Sequence, residues 1–340
     1  MKYNKITIDE PFQFEAGGKL NRLELVYHTS DRDYRKGDKV VWICHALTGN
    51  SDPEDWWPQM VGKGNLLDPE KYYIVCVNMI CSPYGSSCPA SVNPETGKPF
   101  FFDFPKTTIR DIVSANILVR KHLGIDKIDL MVGPSIGGFQ TLEWVIMEPD
   151  VIKRAVFLAT ATRVPPYLTA FNESQRLAML ADPTFMAAES LDGGKAGLKC
   201  ARSIALISYR TYDGYNMTQE EKDEDTLFAD RAASYQRYQG KKLIDRFDAY
   251  SYWYLCNSLD SMNVGRGRGG VEKALERIKA QCLMISIDSD VLFPPKHGKA
   301  TVAALKKAEY AEITSRFGHD GFLLESDQLG AILRPLLESF

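Results

Sequence analysis

Residues 130–144 read LMVGPSIGGFQTLEW, an apolar run that stops at Gly-Pro, offers one serine, and resumes as an amphipathic pattern after two glycines. Ile128 to Val132 predicts a strand, while Ile136, Phe139, Gln140, Leu142, Glu143 and Val145 to Met147 predict a buried helix ending before Pro149. The order is therefore strand, tight turn, helix, with Ser135 on the turn between Gly133 and Gly137. G-x-S-x-G fixes only three positions, so this context carries the argument. A side chain at either flank of such a turn would strike the neighbouring strand or helix, which is why glycine is required there. A hydroxyl held out on this turn reads as a nucleophile rather than as a helix cap.

Further apolar runs of strand length lie at Leu23 to Tyr27, Val40 to Cys44, Tyr73 to Asn78, Ala155 to Leu158 and Cys282 to Ile287. Helical patterns fall between several of them. Ile109, Ile112, Val113, Ile117, Leu118 and His122 share one face of a helix that closes at Gly124. Alternating strands and helices imply a mostly parallel sheet covered on both sides. With 340 residues, 44% of them hydrophobic, the chain can bury one large α/β core and carry an insertion as well. Pro165-Pro166 breaks the alternation, and the sequence from there to Asn263 is helical in pattern and rich in tyrosine. This predicts a catalytic domain of residues 1–164 and 264–340 with a helical lid, 165–263, inserted into it. The GRGRGG at 265–270 reads as a flexible return connector rather than a phosphate loop, since no strand precedes it.

A formal net charge of −3 gives no electrostatic footprint for nucleic acid or a membrane surface. No apolar run is long enough to span a bilayer, and the opening MKYNKITIDEPFQF lacks the apolar centre of a secretory signal, so a cytoplasmic protein is expected. Seven cysteines, at 44, 76, 81, 88, 200, 256 and 282, form no C-x-x-C pair, which predicts reduced thiols. Five dispersed histidines with no ligand spacing predict no metal.

A nucleophilic serine needs a base and an acid to orient that base. The strand QCLMISI runs into DSDVLFPP, which puts Asp288 and Asp290 just past a strand end, and pattern alone leaves the choice between them open. His319, in FGHDGFLLE, precedes the final helix and completes the chain order serine, acid, histidine. The remaining histidines read as structural, including His45, which falls in the early loop CHALTGNSD. That loop can supply one backbone donor to an oxyanion, and Ile136 supplies the other. Cys81 and Cys88 read as loop packing.

Across nearly the whole chain the segments HALTGNSD, DWWPQMVGKG, NPETGKP, FPKTTIRDIV, GPSIGGFQTLEW, SYRTYDGY, YQGKKLIDRFDAYSYWYL, VGRGRGGVEKALERI, DSDVLFPP and GHDGFLLE occur in order. In these the chain resembles the homoserine O-acetyltransferases, acyl-CoA-dependent members of the α/β-hydrolase superfamily. The resemblance implies Ser135 as nucleophile, His319 as base and Asp290 as acid, with the N–H groups of Leu47 and Ile136 as oxyanion donors. It implies Arg210 in the substrate tunnel and Asp320 beside the catalytic histidine. A guanidinium suits an amino-acid carboxylate and a carboxylate suits its ammonium. It further implies acetyl-CoA and L-homoserine as substrates, no permanently bound cofactor, and a homodimer formed through the lid helices. An ester hydrolase, or an acyltransferase using a succinyl donor or a serine acceptor, are the alternatives. Two departures stand out: Pro134 occupies the position before the serine where glycine is usual, and CSPYGSSCP at 81–89 replaces a more glycine-rich loop near the acyl-binding region.

Overall fold

The computed structural model of the protein describes residues 1–338. At its centre an eight-stranded sheet comprises β1 (Lys2–Ile8), β2 (Leu23–Thr29), β3 (Val40–Ile43), β4 (Tyr73–Val77), β5 (Leu130–Pro134), β6 (Arg154–Leu158), β7 (Gln281–Ile287) and β8 (Ala308–Ile313). Their spatial order is β1-β2-β4-β3-β5-β6-β7-β8. β2 is antiparallel to both β1 and β4, and every other pairing is parallel.

Strands β3, β4 and β5 are buried along their whole length, because helices cover both faces. Period-two alternation divides their side chains between two cores. Val40 and Trp42 join Ile112 and Phe139 of the helices Ile109–His122 and Ile136–Met147, whereas Val41 and Ile43 join Trp57 and the Leu329 and Leu333 of the helix Ser326–Glu338. The Ile109–His122 helix starts at a reciprocal cap, in which the Thr108 hydroxyl accepts from the Asp111 N–H while Asp111 accepts from the Thr108 N–H. It closes at Gly124, at φ 66°.

Continuous apolar runs mark the six inner strands but neither edge strand. β1 (KYNKITI) and β8 (AEYAEI) each bury one side chain, Ile6 and Ile313, and otherwise carry charge and polarity. An edge strand needs no continuous apolar run, and charge there deters pairing with another chain. The strand expected at 128–132 sits two residues later. Ile128 makes only an isolated bridge, and regular pairing continues through Pro134 to Leu158. Pro134 is the last residue of β5, a place where its missing N–H breaks no ladder.

Between β6 and β7 the chain leaves the sheet for the helices Pro166–Leu180, Pro183–Ala187, Lys195–Tyr209, Tyr212–Gln219, Arg231–Ile244 and Ala249–Asp260. It departs and returns through a paired neck, in which the Val164 N–H donates to Met262 O (3.0 Å) and the Val264 N–H to Thr162 O (3.0 Å). The helix Ala249–Asp260 is bound to the sheet body, with the Tyr254 hydroxyl donating to Phe104 O (2.6 Å) and that of Ser258 to Thr107 O (3.0 Å). Outer helices hang from it: Asn172 and Arg176 reach the Asp260 carboxylate at 2.8 and 2.7 Å.

The glycine-rich 265–270 segment is tied down rather than slack. Arg266 meets Glu15 (2.6 and 3.0 Å), and Arg268 meets Glu143, which is buried in the Ile136–Met147 helix and also receives Arg110 at 3.0 Å. A buried carboxylate is tolerated only with such partners, so the two arginines turn a connector into an anchor.

Candidate active site

Ser135 follows β5 with φ 58° and ψ −120°, a conformation that costs a non-glycine residue of the order of 1–3 kcal/mol. Its surroundings enforce it. The Ser135 N–H donates to Leu158 O at the end of β6 (2.9 Å), and the Ile136–Met147 helix begins at the next residue. A Cβ on Gly133 would lie 2.2 Å from Gly137 O, and one on Gly137 would lie 2.1 Å from Cys44 O. No side chain fits either position. Ser135 stands where an N-cap would, yet its side chain caps nothing.

The hydroxyl instead meets His319, whose Nε2 lies 2.8 Å from Ser135 Oγ, and whose Nδ1 lies 2.7 Å from Asp290 Oδ2. These partners select the tautomer that donates to Asp290 and accepts from serine. Asp290 is 2% exposed, and its other oxygen accepts the N–H groups of Leu292 (2.8 Å) and Phe293 (3.0 Å), so the carboxylate cannot turn away. Asp288 points elsewhere, accepting from the Ser315 N–H at 3.0 Å. Of the two aspartates between which pattern left the choice open, Asp290 is the one that meets His319. Rings of Tyr209, Phe293 and Phe322 surround the imidazole at 5.8, 5.4 and 5.5 Å. Burial pulls its pKa down, but the charge and hydrogen bond of Asp290 outweigh that, and the net position is above the ordinary imidazole value.

Leu47 lies just beyond β3 and lines the same cavity as Ser135. Among the described residues no acceptor meets the backbone N–H of Leu47 or Ile136. Two unpaired donors beside a serine at a helix N-terminus suit a developing negative charge. His45 holds this loop. It is fully buried, donates from Nδ1 to Ala46 O (2.8 Å) and accepts the Met79 N–H at Nε2 (3.0 Å), while burial lowers its pKa to about 4. A ring that burial keeps neutral near neutral pH, with both nitrogens engaged, is no base for Ser135. Cys81 and Cys88 are buried thiols, Cys88 pushed up to about 11 by burial, and from the 81–89 loop Tyr84 alone reaches the cavity.

The cavity measures about 500 Å³, and its charged lining comes largely from the inserted helices. Asp320 lines it as expected. Arg210 does not. The Lys195–Tyr209 helix ends one residue earlier, and Arg210 leaves it in an extended conformation (φ −112°, ψ 166°). Its guanidinium stacks over Phe317, meets Asp320 at 2.9 Å, and borders a separate opening with Tyr212 and Asp288. Of the two guanidiniums that share the cavity with Ser135 and His319, those of Arg246 and Arg202, that of Arg202 lies 5.6 Å over the Tyr209 ring. Among the described residues no carboxylate pairs with it. Arg202 and Tyr209 are seven residues apart, hence on one helical face, and that spacing was the available signal. Burial raises the Asp320 pKa, against the opposing pull of Arg210 and Arg202.

The α/β-hydrolase fold pattern matches residues 39–326. Homoserine O-acetyltransferase of Cyclobacterium marinum is 40% identical over 328 residues, spanning 96% of this chain and 92% of that protein. The chain belongs to the homoserine O-acetyltransferase family. The crystal structure of a family member from Staphylococcus aureus is 31% identical with a TM-score of 0.81, covering 99% of this chain and 95% of that one. Another from Bacillus anthracis superposes with a TM-score of 0.91 over 99% of this chain and 97% of that one; at 22% identity it speaks for the fold alone. Family members of this kind carry out transfer from an acyl donor, and no helix of the described residues is long and apolar enough to cross a membrane.

Proposed function

We propose that the protein transfers the acetyl group of acetyl-CoA to the side-chain hydroxyl of L-homoserine, giving O-acetyl-L-homoserine, a methionine precursor. The observation that carries this reading is the continuous relay Ser135–His319–Asp290, opening into a cavity that also holds an unpaired guanidinium, Arg202, and a carboxylate, Asp320. A hydrolase of simple esters has no use for that second pair of charges. An α-amino acid does.

His319, held by Asp290, takes the Ser135 proton as Oγ attacks the thioester carbonyl, and the N–H groups of Leu47 and Ile136 receive the oxyanion. The C–S bond breaks, the proton on His319 passes to the departing thiolate, and acetyl-Ser135 remains. L-Homoserine then enters with its carboxylate on Arg202 and its ammonium at Asp320. Its hydroxyl gives a proton to His319 and attacks the acyl carbon, and Ser135 recovers a proton as it leaves. Arg210, which the sequence resemblance put on the substrate, acts one step back by holding Asp320 in place.

Residues 165–263 serve as the lid that keeps water from the acyl-enzyme, since transfer outruns hydrolysis only when the acceptor is fixed in attack geometry. Their outer surface supports a homodimer: Tyr167, Leu177, Leu180, Met186, Ile207 and Tyr212 are large, apolar and each more than 40% exposed. Seven free thiols agree with a reducing, cytoplasmic workplace.

The test is the ratio of O-acetylhomoserine to free acetate made from acetyl-CoA, with coenzyme A release followed with and without homoserine. Release that depends on homoserine, with ester as the main product, is expected. Mostly acetate at saturating homoserine makes the protein an esterase, and faster turnover with succinyl-CoA or L-serine reassigns the donor or acceptor.

A further inference from the structure

The cavity has more positive charge than its acceptor pair requires. Besides Arg202 it is lined by Lys242 and Arg246, at and just past the end of the Arg231–Ile244 helix. Lys241, next to them, is neutralised by Asp245 at 2.8 Å on the outer surface. Among the described residues Lys242 and Arg246 have no such partner. The two acids of the lining are already engaged, Asp320 by Arg210 and Asp55 by the side-chain amide of Asn50 (2.8 Å). A chain of net charge −3 thus concentrates unpaired cations around one opening. Unpaired cations held together at a cavity wall repel one another and are stabilised by a polyanion.

Arg246 is also positioned by the sheet body. Its Nη1 donates to Thr48 O at 2.7 Å and contacts the Tyr84 hydroxyl. Thr48 follows Leu47, so the arginine ties the lid to the loop carrying one oxyanion donor. Among the described residues its Nε and Nη2 donors have no acceptor, and they remain for a ligand.

We infer that Lys242 and Arg246 form the phosphate-binding part of the donor site, gripping the nucleotide diphosphate of the acyl thioester while its acyl end reaches Ser135. This rests on the transferase reading above and adds to it a site for the part of the donor that takes no part in the chemistry. The acceptor and the donor's handle then occupy different cations: Arg202 serves the amino-acid carboxylate, and Lys242 with Arg246 serves phosphate. Remote binding of this kind fixes the thioester against the serine without touching the reacting bond.

The experiment compares two thioester donors in the first half-reaction at low salt: acetyl-CoA, and S-acetyl-N-acetylcysteamine, which lacks the phosphates and the nucleotide. Lys242→Glu should lower kcat/KM for acetyl-CoA by about tenfold or more, chiefly through KM, with the deficit shrinking at about 0.5 M salt. The truncated donor should change by less than about twofold, because its only interactions are at the reacting end. Arg246→Gln should add to the acetyl-CoA defect and also slow both donors modestly, since it loosens Thr48. Equal responses of the two donors to Lys242→Glu would overturn the site. So would a wild-type kcat/KM for acetyl-CoA that ignores ionic strength. Acetyl-phosphopantetheine separates sources: a response matching that of acetyl-CoA would overturn nucleotide recognition and point to a carrier-protein arm. If the transferase reading is what fails, wild type releases coenzyme A from acetyl-CoA without forming any ester of homoserine, while the donor dependence of Lys242→Glu is read independently of the acceptor.

Discussion

The sheet body and the inserted helices both contribute side chains to the Ser135 cavity, and they support them differently. From the body come Leu47, Ser135, Asp290 and His319, each past the carboxyl end of a parallel strand, and the last three are fixed by the hydrogen bonds of His319 to its two neighbours, by the backbone N–H groups on Asp290 and by the glycine-flanked turn at Ser135. From the helices come Arg202, Tyr209, Lys242 and Arg246, on surfaces whose outer faces expose a large share of apolar side chains. On the function proposed above, the difference separates bond chemistry from choice of substrate. Groups that move protons must sit within tenths of an ångström of their partners, and strand ends in a hydrogen-bonded sheet give that rigidity. Charges that select a substrate act over longer distances and tolerate the looser support of an insertion.

The largest effects that would break this division lie in the body. Ser135→Ala should abolish the acetyl adduct on the intact protein by mass spectrometry, and persistence of one acetyl at that turn would displace the nucleophile. Asp290→Asn should lower turnover by about 10⁴, while Asp288→Asn, whose carboxylate only receives the Ser315 N–H, should change it by no more than about tenfold. Equal losses would return the acid to both positions.

Next come substitutions in the helices. Arg202→Ala should raise the homoserine KM by roughly 10 to 100-fold, the loss of a charge-assisted grip, and leave the rate of acetyl-enzyme formation nearly unchanged. Arg210→Ala should do less to KM than Arg202→Ala, because it acts only through Asp320. The reverse ranking would restore Arg210 to the substrate.

A smaller effect sharpens the role of Asp290. His319 must be neutral to accept a proton, and its pKa lies above the ordinary value because Asp290 outweighs burial. The acid limb of acetyl-enzyme formation should therefore fall above the usual imidazole pKa. In Asp290→Asn the main upward influence is gone and burial remains, opposed only by the Asp320 charge, so the residual activity should carry its limb to lower pH. A limb that stays in place would mean another group controls it. Least affected of all should be turnover in Ile207→Ser with Tyr212→Ser on the lid surface, whose expected outcome is a shift from dimer toward monomer by light scattering.

Much of the body was legible in the chain. Strands buried on both faces announce themselves as apolar runs, and the turn at Ser135 announces itself through Gly133 and Gly137, because close backbone approach leaves glycine as the sole option. Where partial exposure relaxes that requirement, the signal fades, as in β1 and β8.

Local sequence by itself determined the strand–turn–helix at Ser135, the alternation that makes the sheet, and the order serine, acid, histidine. Tertiary structure decided which of two aspartates meets His319, which of two arginines enters the cavity, and that the 265–270 segment is an anchor. The reason is directional. Asp288 and Asp290 are two residues apart but turn to different hydrogen-bond donors, and Arg210 falls one residue beyond the end of the helix whose face carries Arg202. Residue type and spacing state what a side chain can do, whereas the direction it takes is set by the backbone around it and by partners far away in the chain.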